Sequence, residues 1–349
     1  MQFSSSRGWI PPTIQLSLTY VVAWIFLTTI VGCGKSDPES GRSSETAATI
    51  GKAPISKFLS IGTAPPGGAF FVVGSAIAEV VDNHLASTVS AEATKGTQEN
   101  IRRLRSGELD FALANAAISY FAVRGQGAWK EEYPVRTVMT LAPNVALFIT
   151  QKSSNIKRII DLKGNRVVVG PAGAGFEYFL TPILRAHGVS YKDFNPLYNT
   201  QLGSVDMLAD GSAKVAFLGG AVPTASIVQA SAAHDIFFIP FDKKAKEKLF
   251  KDYPFFASAT IPANTYRNQL QPFEGMNVGS MHLVTSADVD EEKVYHFTKI
   301  LYEHRQQVVE KHPAGKAINP KNIVKDTGTP FHPGAIRYYT DVGIWSKDQ

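Results

Sequence analysis

The sequence predicts an α/β protein with a mostly parallel sheet that is flanked by helices. From about Ser56 onward, short β-like runs alternate with helical patterns of 10–18 residues. Glycine-rich turns twice join such a strand directly to a helix. With 349 residues, of which 44% are hydrophobic and 11% aromatic, the chain is long enough to bury a large core. These observations together favour a globular α/β body.

The composition also excludes several classes of protein. It is not that of a disordered, collagen-like or disulfide-rich chain, and a single cysteine cannot form an intrachain disulfide. A net charge of +5 is too dilute for nucleic-acid binding, and no basic stripe interleaved with aromatic residues supports it. The composition therefore gives no support to a nucleic-acid-binding protein.

The predicted elements follow one another regularly along the chain. Strands are expected at 58–62, 89–93, 109–114, 145–150, 166–170, 194–198, 215–219 and 236–240. Helices are expected at 68–85, 97–105, 175–187, 202–210 and 222–233. Asp288 to Glu291 has the pattern of a capping box and predicts a long helix that runs towards Lys311.

The N-terminal region predicts export and attachment to a membrane. Residues 17–32 are apolar and uncharged, short for a spanning helix but suited to the hydrophobic part of an export signal. The small residue before Cys33 resembles a bacterial lipobox, so residues 1–32 are predicted to be a lipoprotein signal peptide and Cys33 the lipidated residue. Residues 33–55 are polar and predict a flexible tether. The alternative is a signal anchor that ends in a buried cysteine.

Two glycine-rich turns are the candidate binding elements. The first, 62–68, and the second, 170–177, each lie between a strand and a helix. Ligands of open α/β sheets bind at the carboxyl ends of strands, and the free N–H groups of a helix start favour anions or polar oxygens. Neither turn has the G-x-G-x-x-G or P-loop pattern, which disfavours a nucleotide. Both could instead be tight turns without a ligand.

The sequence offers little support for catalysis. It contains no G-x-S-x-G, no H-E-x-x-H and no C-x-x-C pattern, so no enzyme activity, cofactor or metal is predicted. The His296 and His304 pair and the Asp206 and Asp210 pair have the spacing of solvated helix positions. The lysine-rich segment 243–251 favours a solvated helix face over a docking patch for a partner.

Four segments, in order, resemble the TAXI-type solute receptors of TRAP (tripartite ATP-independent periplasmic) transporters. Residues 61–74 are similar to the family's I-G-T-G-x-x-G-G-x-Y-Y-x-x-G, and 94–110 to its T-x-G-S-x-x-N…L-x-x-G-x-x-D. Residues 159–167 are similar to S-x-x-D-L-K-G-K-x-V, and 332–339 to H-P-G-A-x-x-Y-Y. The match spans about 57–345.

The resemblance implies a two-lobed periplasmic-binding-protein fold of type II-like organisation that closes on a solute by a hinge. Lobe 1 would comprise 56–145 plus 243–349 and lobe 2 146–242, with crossings near 141–150 and 238–242. The receptor would be extracytoplasmic and would deliver its solute to a TRAP membrane permease. The implied ligand-binding residues are Thr63, Ala64, Gly67, Gly68, Phe70, Thr94, Thr97, Asn115, Gly173, Ala174, Gly175, Phe176 and Glu177.

Departures from the family pattern bear on the solute. Hydroxyl-bearing positions of the two family turns are Pro66, Ala174 and Phe176 here, and the paired tyrosines are Phe70 and Phe71. Members of the family often bind glutamate or related dicarboxylates and oxoacids, for which lost hydrogen bonds are costly. A less polar, larger or aromatic solute is therefore expected, while backbone N–H groups keep the carboxylate class open.

Two other functions remain open at this point. The same fold could serve a lipid-anchored sensor or scaffold, which a neighbouring gene for a membrane kinase or cyclase would favour over transport. The second alternative is an extracytoplasmic enzyme on this fold, and the missing catalytic patterns disfavour this hypothesis.

Overall fold

The computed structural model describes residues 58–346. The predicted signal peptide (1–32), the predicted tether (33–55) and the predicted lipidation site Cys33 lie outside the described residues. Within the described part, no helix is both long and apolar enough to cross a membrane.

The first sheet is formed by the N-terminal part of the chain and one later strand. Its elements are β1 (Phe58–Gly62), α1 (Ala69–Asp82), β2 (Thr88–Glu92), α2 (Thr97–Arg105), β3 (Phe111–Asn115), α3 (Ala116–Ala122), β4 (Val135–Thr140) and, much later, β12 (Met281–Ser286). The strand order is β2-β1-β3-β12-β4. Leu59 and Ile61 of β1 are buried against the apolar face of α1, because alternate strand residues point to the same side.

The second sheet is formed by the chain between these strands. Its elements are β5 (Val145–Gln151), β6 (Arg166–Val168), α4 (Glu177–Ala186), β7 (Asn195–Leu197), α5 (Gln201–Ala209), β8 (Val215–Gly220), α6 (Ala225–Ala233), β9 (Ile236–Ile239), α7 (Lys243–Asp252), β10 (Phe256–Ile261) and β11 (Phe273–Val278). The strand order is β10-β11-β5-β8-β6-β7, with β9 also paired to β5.

The C-terminal helices follow β12. They are α8 (Glu291–Glu303), α9 (Arg305–Lys311), α10 (Pro320–Ile323) and α11 (Pro333–Asp341), and short 3₁₀ helices occupy Ile159–Leu162 and Pro313–Ala317. The single long helix predicted towards Lys311 is wrong, because the helix ends at Glu303 and a new one begins at Arg305. Asp290 caps α8 by accepting a hydrogen bond from the Lys293 N–H.

The two-lobed α/β fold is confirmed, but both sheets are mixed rather than mostly parallel. In the first sheet β1 pairs in parallel with β2 and β3, whereas β12 is antiparallel to β3 and β4. In the second, only β6 makes parallel pairs, and β5 is antiparallel to β8, β9 and β11. A strand that enters a sheet from the other lobe arrives without a crossover helix, and it can therefore pair antiparallel.

The lobe boundary predicted after residue 242 does not follow the strand pairing. β10 and β11 extend the second sheet, and α7 packs against α4 of the same lobe. Lobe 1 therefore comprises residues 58–140 and 281–346, and lobe 2 comprises 145–278. The β10–β11 hairpin was missed because its exposed positions are polar, as Ser258 and Glu274 show, so its sequence reads as loop.

The two segments that connect the lobes run side by side. Leu141 N–H donates to the Met281 carbonyl and Met281 N–H to the Ala142 carbonyl, at 2.8 Å each. The Asn115 amide donates to the Gly279 carbonyl at 2.8 Å, and Gly279 has φ +110°. A Cβ on Gly279 would lie 2.5 Å from the Asn115 amide oxygen, so this connection requires glycine.

Candidate functional site

A cleft lies between the two lobes where the predicted glycine-rich turns meet. It encloses about 680 Å³, counting its open mouth. Its walls come from both lobes and from the first connecting segment: Ala64, Pro65, Pro66, Gly68, Ala69, Phe70, Lys95, Gly96, Thr97, Asn115, Ile118, Asn144, Pro171, Ala174, Phe176, Phe179, Thr200, Gln201 and Gly219. Clefts of this kind between lobes or domains are the usual place for a small ligand.

The structure brings part of the predicted site residues together at this cleft. The predicted residues that line it are Ala64, Gly68, Phe70, Thr97, Asn115, Ala174 and Phe176. The predicted residues that do not line it are Thr63, Gly67, Thr94, Gly173, Gly175 and Glu177. The two turns are thus placed as expected, but only some residues of each face the space between them.

Two threonines that were predicted to bind the ligand instead make hydrogen bonds to the backbone and do not line the cleft. Thr63 is fully buried, and its hydroxyl donates to the Glu92 carbonyl at 2.7 Å. The Thr94 hydroxyl donates to the Thr63 carbonyl at 3.1 Å and accepts from the Gly96 N–H. Both hydroxyls therefore fix the ends of β1 and β2, which carry the walls of the cleft.

Of the other predicted residues outside the cleft, the glycines mark close approaches between the lobes. A Cβ on Gly67 would meet the Leu202 side chain of lobe 2 at 2.7 Å, and one on Gly175 would meet Ile118 of lobe 1 at 2.9 Å. Gly173 has open space around its Cβ position, and Glu177 is exposed. Small residues in the turns thus let the two lobes come together around the cleft.

Helix starts from both lobes converge on the cleft. The residues that precede α1, α2, α4 and α5 are Gly68, Gly96, Phe176 and Thr200, and all four line it. No side chain caps α1, α2 or α4, whereas the Thr200 hydroxyl caps α5 by accepting from the Gly203 N–H. The uncapped first turns leave N–H donors and a partial positive charge at the cleft.

Some of the polar side chains at the cleft already make hydrogen bonds within the protein, and others do not. Asn115 caps α3 by accepting from the Ala117 N–H at 2.9 Å, and the Thr97 hydroxyl accepts from the Asn115 N–H at 3.0 Å. The Gln201 amide donates to the Gly219 carbonyl at 2.7 Å. These three side chains hold the walls in place by hydrogen bonds within the protein.

Lys95 and Asn144 have free polar ends at the cleft. Among the described residues, no carboxylate lies within ion-pair distance of the Lys95 ammonium, and no group hydrogen-bonds the Asn144 side-chain amide. Asn144 is 8% exposed, and its N–H donates to the Asn277 side chain of β11. The sequence prediction missed both residues; a lysine beside the glycine that opens α2 was the available signal.

The cleft has no features of a metal centre or of an acid–base pair. Within residues 58–346, no acidic or histidine residue lines it. In the part of the chain that the structure describes, no cluster of three or more histidine, cysteine, aspartate or glutamate residues could hold a metal ion. The arrangement can bind and enclose a solute, and its polar groups are donors far more than acceptors.

The architecture of two α/β lobes, two connecting segments and a cleft between them is that of periplasmic solute-binding proteins. Residues 61–343 match the model of the NMT1-like family. Because this match covers most of the chain, the protein belongs to the NMT1-like family.

Three solved structures share the fold. PhnD1 from Prochlorococcus marinus (MIT 9301), in complex with methylphosphonate, is 13% identical with a TM-score of 0.51, over 82% of this chain and 97% of that one. A protein from Bordetella bronchiseptica RB50 is 14% identical with a TM-score of 0.51, over 84% and 91%. A structure described as a periplasmic transporter is 13% identical, also at 0.51, over 83% and 94%. At these identities the likeness concerns the fold alone.

Proposed function

We propose that this protein is an extracytoplasmic receptor that captures a small organic solute between its two lobes. The observation that carries the proposal is the cleft itself, to which both lobes contribute uncapped helix starts, lobe 1 the free end of Lys95 and the first connecting segment that of Asn144. Each connecting segment lies beside the other, so a rotation about this pair opens the cleft without breaking either sheet. Membership of the NMT1-like family and the shared fold support the same function.

The proposal extends to the transport system. The four segments that resemble TAXI receptors support delivery of the solute to a TRAP-type membrane permease, and Cys33 would hold the receptor at the membrane through a lipid. Mass spectrometry of the N-terminus in a bacterial host, with a Cys33→Ser control, tests the anchor. Solute uptake that requires both this protein and a TRAP permease tests the partner, and occupancy-dependent activation of a membrane kinase or cyclase would favour sensing instead.

The binding function is tested by thermal unfolding of the purified protein with a broad solute panel. A ligand at 100 times its dissociation constant adds about 2.7 kcal/mol to the free energy of unfolding, which raises the melting temperature by several degrees. Ala64→Trp fills the cleft, since Ala64 is half-buried at its wall. Ala172→Trp places the same side chain on an exposed residue outside it.

We expect solute-dependent stabilisation in the wild type and in Ala172→Trp, and none in Ala64→Trp. Equal stabilisation of both variants by the same solute would place binding outside the cleft. A panel of amino acids, dicarboxylates, apolar acids and neutral solutes that stabilises no form of the protein would refute the receptor function.

A further inference from the structure

The charge of the cleft wall points to the class of solute. Lys95 is the one charged residue among the described residues that line the cleft, and its ammonium has no carboxylate partner there. The carboxylate of Glu99 accepts a hydrogen bond from the Lys95 backbone N–H at 3.2 Å, outside the cleft lining. Lys95 is an exposed residue of the lining, so solvent partly screens its charge, but as the one cation there without a carboxylate partner it still favours one negative charge on the ligand.

Backbone donors next to Lys95 reinforce that preference. Lys95 immediately precedes Gly96, which opens α2 without a side-chain cap. The N–H groups of Thr97 and Gln98, in the first turn, have no acceptor among the described residues. Asn144, more than nine-tenths buried with a free side-chain amide, adds an independent unpaired polar group at the same cleft.

A ligand ammonium finds no comparable partner. The Gln201 amide oxygen already accepts from the Ser226 hydroxyl at 3.0 Å and from the Gly219 N–H at 3.3 Å. The Asn115 amide oxygen accepts from the Ala117 N–H. The free Asn144 side chain offers one amide oxygen, but no carboxylate among the described residues lines the cleft. A buried ammonium without an ionic partner is disfavoured, so the cleft suits an amino acid less well than an anion.

The remaining wall is apolar. Phe70, Ile118, Phe176 and Phe179 line the cleft, together with prolines of the two turns. Apolar surface that leaves water on binding contributes about 25 cal/mol per Å², so these side chains favour a hydrocarbon body over a second charged group.

We propose that the cleft selects an organic monoanion with an apolar body, and that Lys95 is the residue that determines the preference for the anion. The negative group binds the Lys95 ammonium and the first turn of α2, and the body packs on the aromatic and aliphatic wall. This inference rests on the proposed receptor function and names its substrate class.

The experiment measures dissociation constants by calorimetry for matched pairs of probes. The carboxylates are benzoate, phenylacetate, 3-phenylpropionate and octanoate, and each is paired with its neutral primary amide. Glutamate, succinate and phenylalanine represent the competing classes. We expect one or more apolar carboxylates to bind at least about tenfold more tightly than their amides and than every competing probe, since tenfold corresponds to 1.4 kcal/mol.

Lys95→Gln removes the charge and keeps a polar side chain of similar reach. It is expected to weaken binding of the best carboxylate about tenfold and to change binding of its amide less than twofold. Lys244→Gln is the matched control, because Lys244 is an exposed lysine of α7 outside the cleft. It should leave both constants unchanged.

The contrary outcomes separate this inference from the receptor function. Tighter binding of glutamate, succinate, phenylalanine or a neutral amide would overturn the monoanion class while the receptor function stands. An equal loss for carboxylate and amide in Lys95→Gln would overturn the role of Lys95. If no probe of any class binds, the receptor function and this inference fail together.

Discussion

The lobes meet in two regions, the cleft and an aromatic contact, which differ in how their side chains are packed and hydrogen-bonded. The cleft keeps open space, uncapped helix starts and the free ends of Lys95 and Asn144. The aromatic contact, which we define as Phe121, Trp129, Tyr178 and Tyr253, packs rings of the two lobes against each other, and three of these rings also border an open surface pocket. The same two helices build both regions: α3 and α4 begin at the cleft and carry Phe121 and Tyr178 into the contact.

The difference shows how the interface divides its tasks. Trp129 of lobe 1 is 4% exposed, and its ring stacks on Tyr178 of lobe 2 with centroids 5.8 Å apart. The apolar core that includes both rings continues from one lobe into the other. Stability of the lobe–lobe contact therefore comes from aromatic packing, and the cleft can keep polar groups that the protein itself leaves unpaired.

The largest expected loss of stability comes from truncating a side chain of the aromatic contact. Trp129→Ala should lower the free energy of unfolding by about 3–5 kcal/mol, because a large buried ring is lost and a cavity remains. Phe70→Ala, a matched aromatic truncation at the half-buried cleft wall, should cost less than about 1 kcal/mol of stability but weaken ligand binding. Urea unfolding and calorimetry measure both quantities. Comparable stability losses in the two variants would remove the distinction between the regions.

Acid should weaken the fold without acting through the cleft. Burial lowers the pKa of His282 to about 3 and also lowers the pKa of His187, whose ring accepts a hydrogen bond from the Asp242 N–H. Between the lowered pKa of each buried histidine and the ordinary pKa near 6.5 the unfolded chain binds more protons than the folded one, so stability falls as the pH falls. A histidine that stays neutral when folded costs about 2 kcal/mol between pH 6.5 and 5.

Urea unfolding at pH 7, 6 and 5 measures this loss, and a His282→Gln variant should show a shallower pH dependence. The affinity for a solute whose own charge is constant in this range should change little, since no histidine lines the cleft. Stability that is constant or rises on acidification would contradict the assignment of neutral buried histidines.

The smallest effect concerns a single hydroxyl of the aromatic contact. Tyr178 is 5% exposed and burial raises its pKa to about 12, while the nearby Gln98 side chain and Ala128 backbone act to lower it without making a well-aligned hydrogen bond to the hydroxyl. Tyr178→Phe keeps the ring and removes an unsatisfied polar atom, so stability should change by no more than about 1 kcal/mol, towards greater stability. Urea unfolding beside Tyr178→Ala, which loses the ring as well, separates the two contributions. A clear destabilisation by Tyr178→Phe would mean that the hydroxyl is satisfied in solution.

Local sequence patterns were sufficient to predict the strands and helices in the first part of lobe 1. The predicted strand 58–62 and helix 97–105 have the bounds found in the structure, because alternation and helical periodicity are set by residues close in the chain. The two glycine-rich turns were placed correctly for the same reason. The strands β4 and β12 were missed, since they pair with each other across a long sequence separation, and the β10–β11 hairpin was missed because its exposed positions are polar.

The candidate site was predictable only in outline. The turns that carry Ala64, Gly68 and Ala174 were identified, whereas Ile118, Asn144 and Phe179 were not. Asn144 gives no local signal, because its position at the cleft depends on a hydrogen bond to Asn277 of β11, more than a hundred residues away in the sequence. Which hydroxyls face the cleft was likewise undetermined, as the buried Thr63 and Thr94 show.

The sequence by itself determined the α/β class and the strand–turn–helix units, since these follow from residue type and short-range periodicity. It also determined that apolar residues replace hydroxyl-bearing ones in the two turns, which makes the cleft wall apolar. Only the tertiary structure decided that lobe 2 extends to Val278, which side chains are already engaged, and that Lys95 and Asn144 remain free. Hydrogen-bond satisfaction and burial depend on which distant segments become neighbours, and a local pattern does not contain that information.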